Sequence, residues 1–321
     1  MAAPFPSPTS KWHSDTYPSL SPTRPELSAK GKTVLITGGG TGIGAETARY
    51  FAAAGAPRIA ILGRRKQPLL ETKADIEDRF SGVEVFIAPT DVTSKSEVDA
   101  AFKSFIGEGE LNVLVHGAAN VGPLDGTDAV EAGAFLESIQ LNLRGSLFVA
   151  QAFLRHASKD AVAIEVNSSA AHVNFVPKFA AYSVAKLAQY RLWDTVAFAN
   201  PEMSVFHVQP GVVDTDMNKS AGGVQATGIE DQGESTDNLH LTYDKTDTSL
   251  VALPASFHVW LASPEARFLK GKFLWSNWDV DELKSREEQI ATSTQFNIDL
   301  VGWPFGESAY KFQTTSKLWT E

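Results

Sequence analysis

Apolar positions in this chain follow two rhythms. Short runs that are apolar nearly throughout, and rich in β-branched residues, fall at 33–37, 58–62, 83–88, 113–116, 162–167 and 204–209. Longer stretches between them, at 43–54, 67–80, 94–106, 129–156 and 179–199, repeat their apolar residues at helical spacing. Strands without polar alternation are covered on both faces, and the intervening helices supply that cover. With a further helix at 254–262 and a last strand at 272–275, the pattern predicts an α/β fold: a Rossmann-type doubly wound parallel sheet of about seven strands flanked by helices. Such open sheets bind ligands beyond the carboxyl ends of their strands, so functional residues are expected in the turns that follow.

The alternation begins only after residue 30. Before it, Pro4, Pro6, Pro8, Pro18, Pro22 and Pro25 are spaced too closely for helix or interior strand, so 1–30 reads as an extended arm. Trp12 and Tyr17 inside it predict packing on the body or on a neighbouring subunit. Residues 31–278 carry the sheet. Within them, 214–250 is polar and rich in glycine, the composition of a substrate lid. Residues 279–321 form a C-terminal extension. Trp275, Trp278, Trp303 and Trp319 in and before it need a surface to pack against.

Bulk composition narrows the classes. At 321 residues, 43% hydrophobic and 21% charged, the chain is globular and long enough for a large core. A net charge of −10 repels the phosphates of nucleic acid and of anionic membranes, so neither is expected as a partner. Cysteine is absent, which excludes disulfides and thiolate chemistry, and the seven histidines show no ligand spacing, so no metal is expected. No run approaches the roughly 18 apolar residues of a spanning helix and no secretory signal opens the chain, which together predict a cytoplasmic protein. Ser316-Lys317-Leu318 lies short of the terminus, where a peroxisomal address is read.

The chemistry is concentrated in turns. Thr37-Gly38-Gly39-Gly40-Thr41-Gly42-Ile43-Gly44 stands between an apolar strand and an amphipathic helix. Alone, such glycines make an ordinary loop; in this context they let the backbone approach a pyrophosphate at a helix N-terminus. After the second strand comes Gly63-Arg64-Arg65, where a carboxylate would select a ribose 2′-hydroxyl. A guanidinium there instead matches a 2′-phosphate, with Arg64 ahead of Arg65. Asn167-Ser168-Ser169 ends the fifth strand, and thirteen residues beyond Ser169 stands Tyr182, followed at helical i,i+4 spacing by Lys186. A phenol is a poor base at neutral pH, and a neighbouring ammonium favours its phenolate.

These motifs, in this order from about Lys32 to Thr215, resemble the short-chain dehydrogenase/reductase family. The resemblance implies an NADP(H)-dependent interconversion of a carbonyl and an alcohol on a small, fairly apolar molecule. Tyr182 would exchange the proton with the substrate oxygen, and Ser169 would orient that oxygen, with Ser168 as the alternative if the register slips by one. Lys186 would assist the phenol and hold the nicotinamide ribose, and Asn142 would be the fourth catalytic residue. Cofactor contacts are expected from Gly38, Thr41, Gly42, Ile43 and Gly44, from Arg64 and Arg65, and from Asp91 and Val92 at the adenine. Ala118, Ala119, Pro210, Gly211, Val213 and Thr215 complete the set. Phe175, Val176, Phe179, Met217 and Trp278 are expected around the substrate. One departure stands out: His116-Gly117-Ala118-Ala119 replaces the family's Asn-Asn-Ala-Gly, which removes a sheet-bracing amide. The proline-rich start and tryptophan-rich end resemble fungal members and suggest secondary metabolism. The family further implies a homo-oligomer, dimer or tetramer, assembled through the helices at 129–156 and 179–199. Two other functions share the same motifs: non-redox or multistep biosynthetic chemistry on this fold, and non-catalytic sensing of NADP(H).

Overall fold

A computed structural model describes residues 5–174, 177–213, 215–221 and 251–300. Seven strands form one sheet: β1 (Thr33–Thr37), β2 (Arg58–Gly63), β3 (Glu84–Pro89), β4 (Leu111–His116), β5 (Ala157–Val166), β6 (Ser204–Gln209) and β7 (Phe273–Trp275). Their spatial order is β3-β2-β1-β4-β5-β6-β7, and every pair is parallel. The chain therefore winds outward from β1 to one edge and returns to start the other half at β4. That reversal leaves a crevice beyond the carboxyl ends of β1 and β4.

Alternation along the central strands divides the core in two. Val34 and Ile36 of β1, with Val113 and Val115 of β4, face α1 (Gly42–Ala53), α2 (Lys66–Arg79) and α7 (Ala252–Leu261), where Phe51, Ile76, Phe257 and Trp260 are buried. Leu35 and Leu114 point the other way, toward α3 (Lys95–Ile106), α4 (Ala132–His156) and α5 (Ala180–Ala199), and meet Phe102, Phe153 and Trp193. Both sheet faces are thus dry, as the uninterrupted apolar runs require.

The elements differ from the sequence expectation mainly at their ends. α4 begins at Ala132 rather than 129 because the Glu131 carboxylate caps it, accepting from the N–H groups of Gly133 and Ala134. β5 starts at Ala157, ahead of the apolar run, since the exposed Lys159 and Asp160 interrupt the pattern but not the strand. Three five-residue helices escape a period-based reading altogether: α6 (Asp216–Ser220), α8 (Val280–Lys284) and α9 (Glu287–Ala291).

The proline-rich arm is built into the body. Trp12 forms a bridge with Trp278, the His13 N–H donates to Asn277 O at 2.9 Å, and Asn277 Nδ2 donates back to His13 O at 2.8 Å. The Glu282 carboxylate accepts from the N–H groups of Ser10 and Lys11, and Arg24 pairs with Glu265 at 2.7 Å. Trp12, Leu20 and Leu27 of the arm enter the same core as Trp275, Trp278, Val280 and Leu283. A segment that proline keeps out of the sheet is held instead by side-chain acceptors from the C-terminal segment. Trp303 and Trp319, and 222–250 of the expected lid, lie outside the described residues. Among the described residues, no helix is long and apolar enough to cross a membrane.

Candidate active site

The crevice opens on the glycine turn. Gly38 has φ +75°, a left-handed conformation that glycine adopts without strain. A Cβ on Gly44 would stand 2.3 Å from Gly38 O and 2.8 Å from Gly38 C, so only glycine lets the first turn of α1 lie this close to the turn before it. The free N–H groups of α1 then face the crevice. Gly38, Thr41, Gly42, Ile43 and Gly44 all line a cavity of about 470 Å³ there.

Its walls carry the remaining nucleotide candidates. Arg64, Arg65, Asp91, Val92, Ala118 and Ala119 line the same cavity. Arg65 pairs with Asp216 at 3.3 Å, whereas exposed Arg64 forms no ion pair among the described residues. The Thr93 N–H and hydroxyl, donating to Asp91 Oδ1 at 2.9 and 2.8 Å, hold that carboxyl below the usual carboxylate range; slight burial opposes this and the charge of Arg64 adds to it. Asp91 is therefore an ionised acceptor at the crevice wall.

His116, which stands where the family pattern has an amide, bonds to the neighbouring strand. It is buried and shares a 2.8 Å hydrogen bond between Nδ1 and Thr37 Oγ1, while the Ala118 N–H donates to the same hydroxyl at 3.2 Å. Burial pushes the imidazole down to about 4, so the ring is neutral near pH 7. It ties the end of β4 to the end of β1 under the crevice.

The four expected catalytic residues line two adjoining cavities, with Tyr182 common to both. Asn142 is buried on α4, where its Oδ1 accepts from the Asn120 N–H at 3.0 Å and its Nδ2 donates to Asn120 O and Ser138 O at 3.1 and 2.9 Å. This amide braces the loop after β4. Lys186 is 3% exposed, its Nζ donates to Val166 O at 2.8 Å, and the same Nζ lies 5.8 Å from the centre of the Tyr182 ring. The i,i+4 spacing on α5 thus brings both groups to one face. Ser169 opens a short turn after β5, placed by its N–H donating to Gln209 Oε1 at 2.8 Å. The Ser168 hydroxyl accepts from the Ala170 N–H, whereas that of Ser169 makes no hydrogen bond among the described residues and so stays available.

A second cavity, of about 160 Å³, adjoins the first. Tyr182 lines both, as do Ile43, Val121, Asn167, Pro210, Thr215 and Met217; Lys186 and Asn142 line the first, and Ser168 and Ser169 the second. Gly211 and Val213, expected beside the cofactor, line the second cavity and not the first. Phe179 and Met217 are among its apolar walls, while Trp278 stands behind, stacked 6.4 Å from Trp275. Phe175 and Val176 lie outside the described residues.

Several contributors carry no local sequence signal. Asn120 and Val121 sit in a turn without a motif, and Phe5 reaches the second cavity from the arm. Glu165 and His207 hide within apolar strands. In register on β5 and β6, they share a buried contact at 3.2 Å, and Asn167 Nδ2 donates to both oxygens of Glu165 and to Lys186 O. Burial alone would raise the Glu165 carboxyl, but the His207 hydrogen bond, the charge of Lys186 and the Asn167 amide outweigh it and keep the group low. A buried anion thus lies beneath the lysine. Among the described residues, no cluster of three metal-ligating side chains occurs.

Comparison with known proteins returns one family. Residues 32–225 match the model described as short chain dehydrogenase. A short chain dehydrogenase/reductase of Claviceps purpurea is 30% identical over 305 residues, covering 92% of this chain and 95% of that one. Another, AacuD of Aspergillus aculeatus, is 30% identical over 300 residues, covering 92% and 98%. Among solved structures, a dehydrogenase/reductase of Sinorhizobium meliloti matches with a TM-score of 0.65 and 25% identity over 81% of this chain and 97% of that one.

Proposed function

Because this chain belongs to the short-chain dehydrogenase/reductase family, we propose that it is an NADP(H)-dependent oxidoreductase interconverting a ketone or aldehyde and an alcohol on a small, mostly apolar molecule. One observation carries this reading: Tyr182 stands at the junction of a polar, glycine-cradled cavity and a smaller apolar one, with the Lys186 amine behind its ring. The first cavity fits a dinucleotide. Its turn is closed to any side chain at Gly44, Arg64 is free for a 2′-phosphate, and Asp91 is an ionised acceptor for an adenine amine.

When bound, the dihydronicotinamide supplies the hydride. The chain's own groups do the rest. Ser169 donates a hydrogen bond to the substrate carbonyl oxygen and fixes it toward the phenol. Tyr182 donates its proton to that oxygen in reduction and removes it in oxidation. Lys186 places positive charge near the phenolate and would hold the nicotinamide ribose, and Asn142 keeps the loop after β4 in place beside them. Pro210, Gly211, Val213 and Thr215 wall the site where cofactor and substrate meet. The reading is favoured over cofactor sensing because sensing has no use for Ser169 and Tyr182 together in the lining of a second, mostly apolar cavity. A role in secondary metabolism belongs to the same proposal, drawn from the likeness to fungal short chain dehydrogenases.

Cofactor preference is testable at one residue. Arg64→Ala is expected to raise the Kd for NADPH about tenfold or more, from loss of charge-assisted hydrogen bonds, and to leave NADH binding nearly unchanged. Fluorescence titration with both cofactors measures it, alongside NADPH consumption with a panel of ketones. An equal effect on NADPH and NADH would remove the 2′-phosphate assignment.

A homo-oligomer, dimer or tetramer, in the cytoplasm completes the proposal. The outer faces of α4 and α5 support the assembly: Leu136, Leu147 and Leu154 on one helix and Val184, Leu187 and Phe198 on the other are exposed, Phe198 by 89%. Apolar side chains so arranged on adjacent helices are suited to a partner face.

A further inference from the structure

The second cavity is built partly from a segment outside the sheet. Phe5 lines it together with Tyr182 and Ser169, although the chain separates Phe5 from them by the entire first half of the fold. The ring of Phe5 lies 5.3 Å from that of Trp275 and 6.5 Å from that of Trp12. Trp12 in turn is held by the bridge to Trp278 and by an edge contact with Trp275 at 5.9 Å. The arm is thus anchored just beyond Phe5 at several points, which fixes the phenyl group against the cavity.

Polar groups around this cavity are almost all engaged with the protein. Trp275 Nε1 donates to His172 Nε2 at 3.1 Å, so the indole offers only carbon to a ligand. Gln209 Oε1 accepts from Ser169 N, Asn167 Oδ1 accepts from Ser168 N, and Ser168 Oγ accepts from Ala170 N. The exception is the Asn218 amide nitrogen, which is buried and has no hydrogen-bond partner among the described residues. Among the described residues, the lining therefore offers a ligand the hydroxyls of Ser169 and Tyr182 and the buried Asn218 amide, together with the aromatic rings of Phe5, Phe179 and Trp275.

We propose that the N-terminal arm is a wall of the substrate site and that Phe5, with Trp275, selects a carbonyl compound whose oxygen is attached to a flat aromatic or conjugated skeleton. This inference rests on the oxidoreductase reading for the word substrate, but the wall itself can be tested by binding alone. Aromatic faces and edges attract flat rings beyond what apolar area provides, while a puckered saturated ring of the same size gains only the area.

The test uses the full chain loaded with NADP+ and two matched probes, acetophenone and cyclohexyl methyl ketone, titrated by calorimetry. Phe5→Ala is expected to weaken acetophenone about five- to tenfold and cyclohexyl methyl ketone by about twofold or less, and Phe5→Tyr to restore the difference. NADP+ affinity should stay at the wild-type value and the melting temperature should fall by no more than a few degrees, since the ring contacts of Phe5 are lost but the anchors from Thr9 to Arg24 are untouched. Equal losses for both ketones, no loss for either, or failure of the wild-type protein to bind acetophenone would each overturn the proposal. Turnover is read separately with NADPH and acetophenone. Discriminating binding without any hydride transfer would sink the oxidoreductase reading and leave the wall standing; turnover without discrimination would do the reverse.

Discussion

Tyr182→Phe is expected to lower kcat/KM for carbonyl reduction by about a thousandfold, near 4 kcal/mol of transition-state stabilisation, while the Kd for NADPH stays within about twofold. The substitution removes one oxygen and nothing else. The Tyr182 side chain is only partly buried and its hydroxyl makes no hydrogen bond among the described residues, so its loss leaves no orphaned partner and the melting temperature should hold. The ring's contact with Lys186, at 5.8 Å, is kept. What disappears is the proton that the substrate oxygen must receive as the hydride arrives. Steady-state kinetics with NADPH and a ketone the wild-type protein reduces, together with fluorescence titration of NADPH, measures both quantities. A loss of less than about tenfold would mean that another group delivers the proton.

The second large effect is expected at Gly44. Gly44→Val places a Cβ 2.3 Å from Gly38 O, 2.8 Å from Gly38 C and 3.1 Å from the Cα of Gly39, all backbone atoms that cannot rotate away. The turn and the start of α1 must separate. Overpacking of this kind costs about 1–3 kcal/mol of stability, and the cradle that would hold the pyrophosphate loses its shape. The variant should melt several degrees below the wild type, and its Kd for NADPH should rise by at least about tenfold. Unchanged NADPH binding in a folded Gly44→Val protein would show that the cofactor does not use this turn.

Much of the architecture was readable in the chain because both faces of the sheet are dry. Runs such as Thr33–Thr37 and Ser204–Gln209 are apolar enough to mark strands and short enough to exclude helices, and they match the observed bounds. Placements that depend on local spacing were equally readable: the glycine turn stands between β1 and α1, and Tyr182 and Lys186 share one face of α5. Contributions that depend on tertiary register were not. Glu165 and His207 form a buried pair only because β5 and β6 lie side by side, and each alone is a polar interruption in an apolar run. His116 presents a departure from the family pattern whose role emerges only when Thr37 is its neighbour on β1. Phe5 and the arm carry composition without periodicity, so proline content excluded regular structure there but could not say what the segment covers. Gly211 and Val213, expected at the cofactor by resemblance, line the smaller apolar cavity, because the chain after β6 turns toward it before Thr215 reaches the junction of the two.

The central claim is that hydride moves between the nicotinamide and a carbon beside Tyr182. Incubating the protein with NADPH deuterated at the transferring position and a ketone it consumes, then locating the label in the product by NMR, tests this directly. The account predicts one deuterium per turnover on the carbinol carbon, on a single face. Product formed without deuterium there, or without oxidation of the cofactor, would contradict it and point to non-redox chemistry on the same fold.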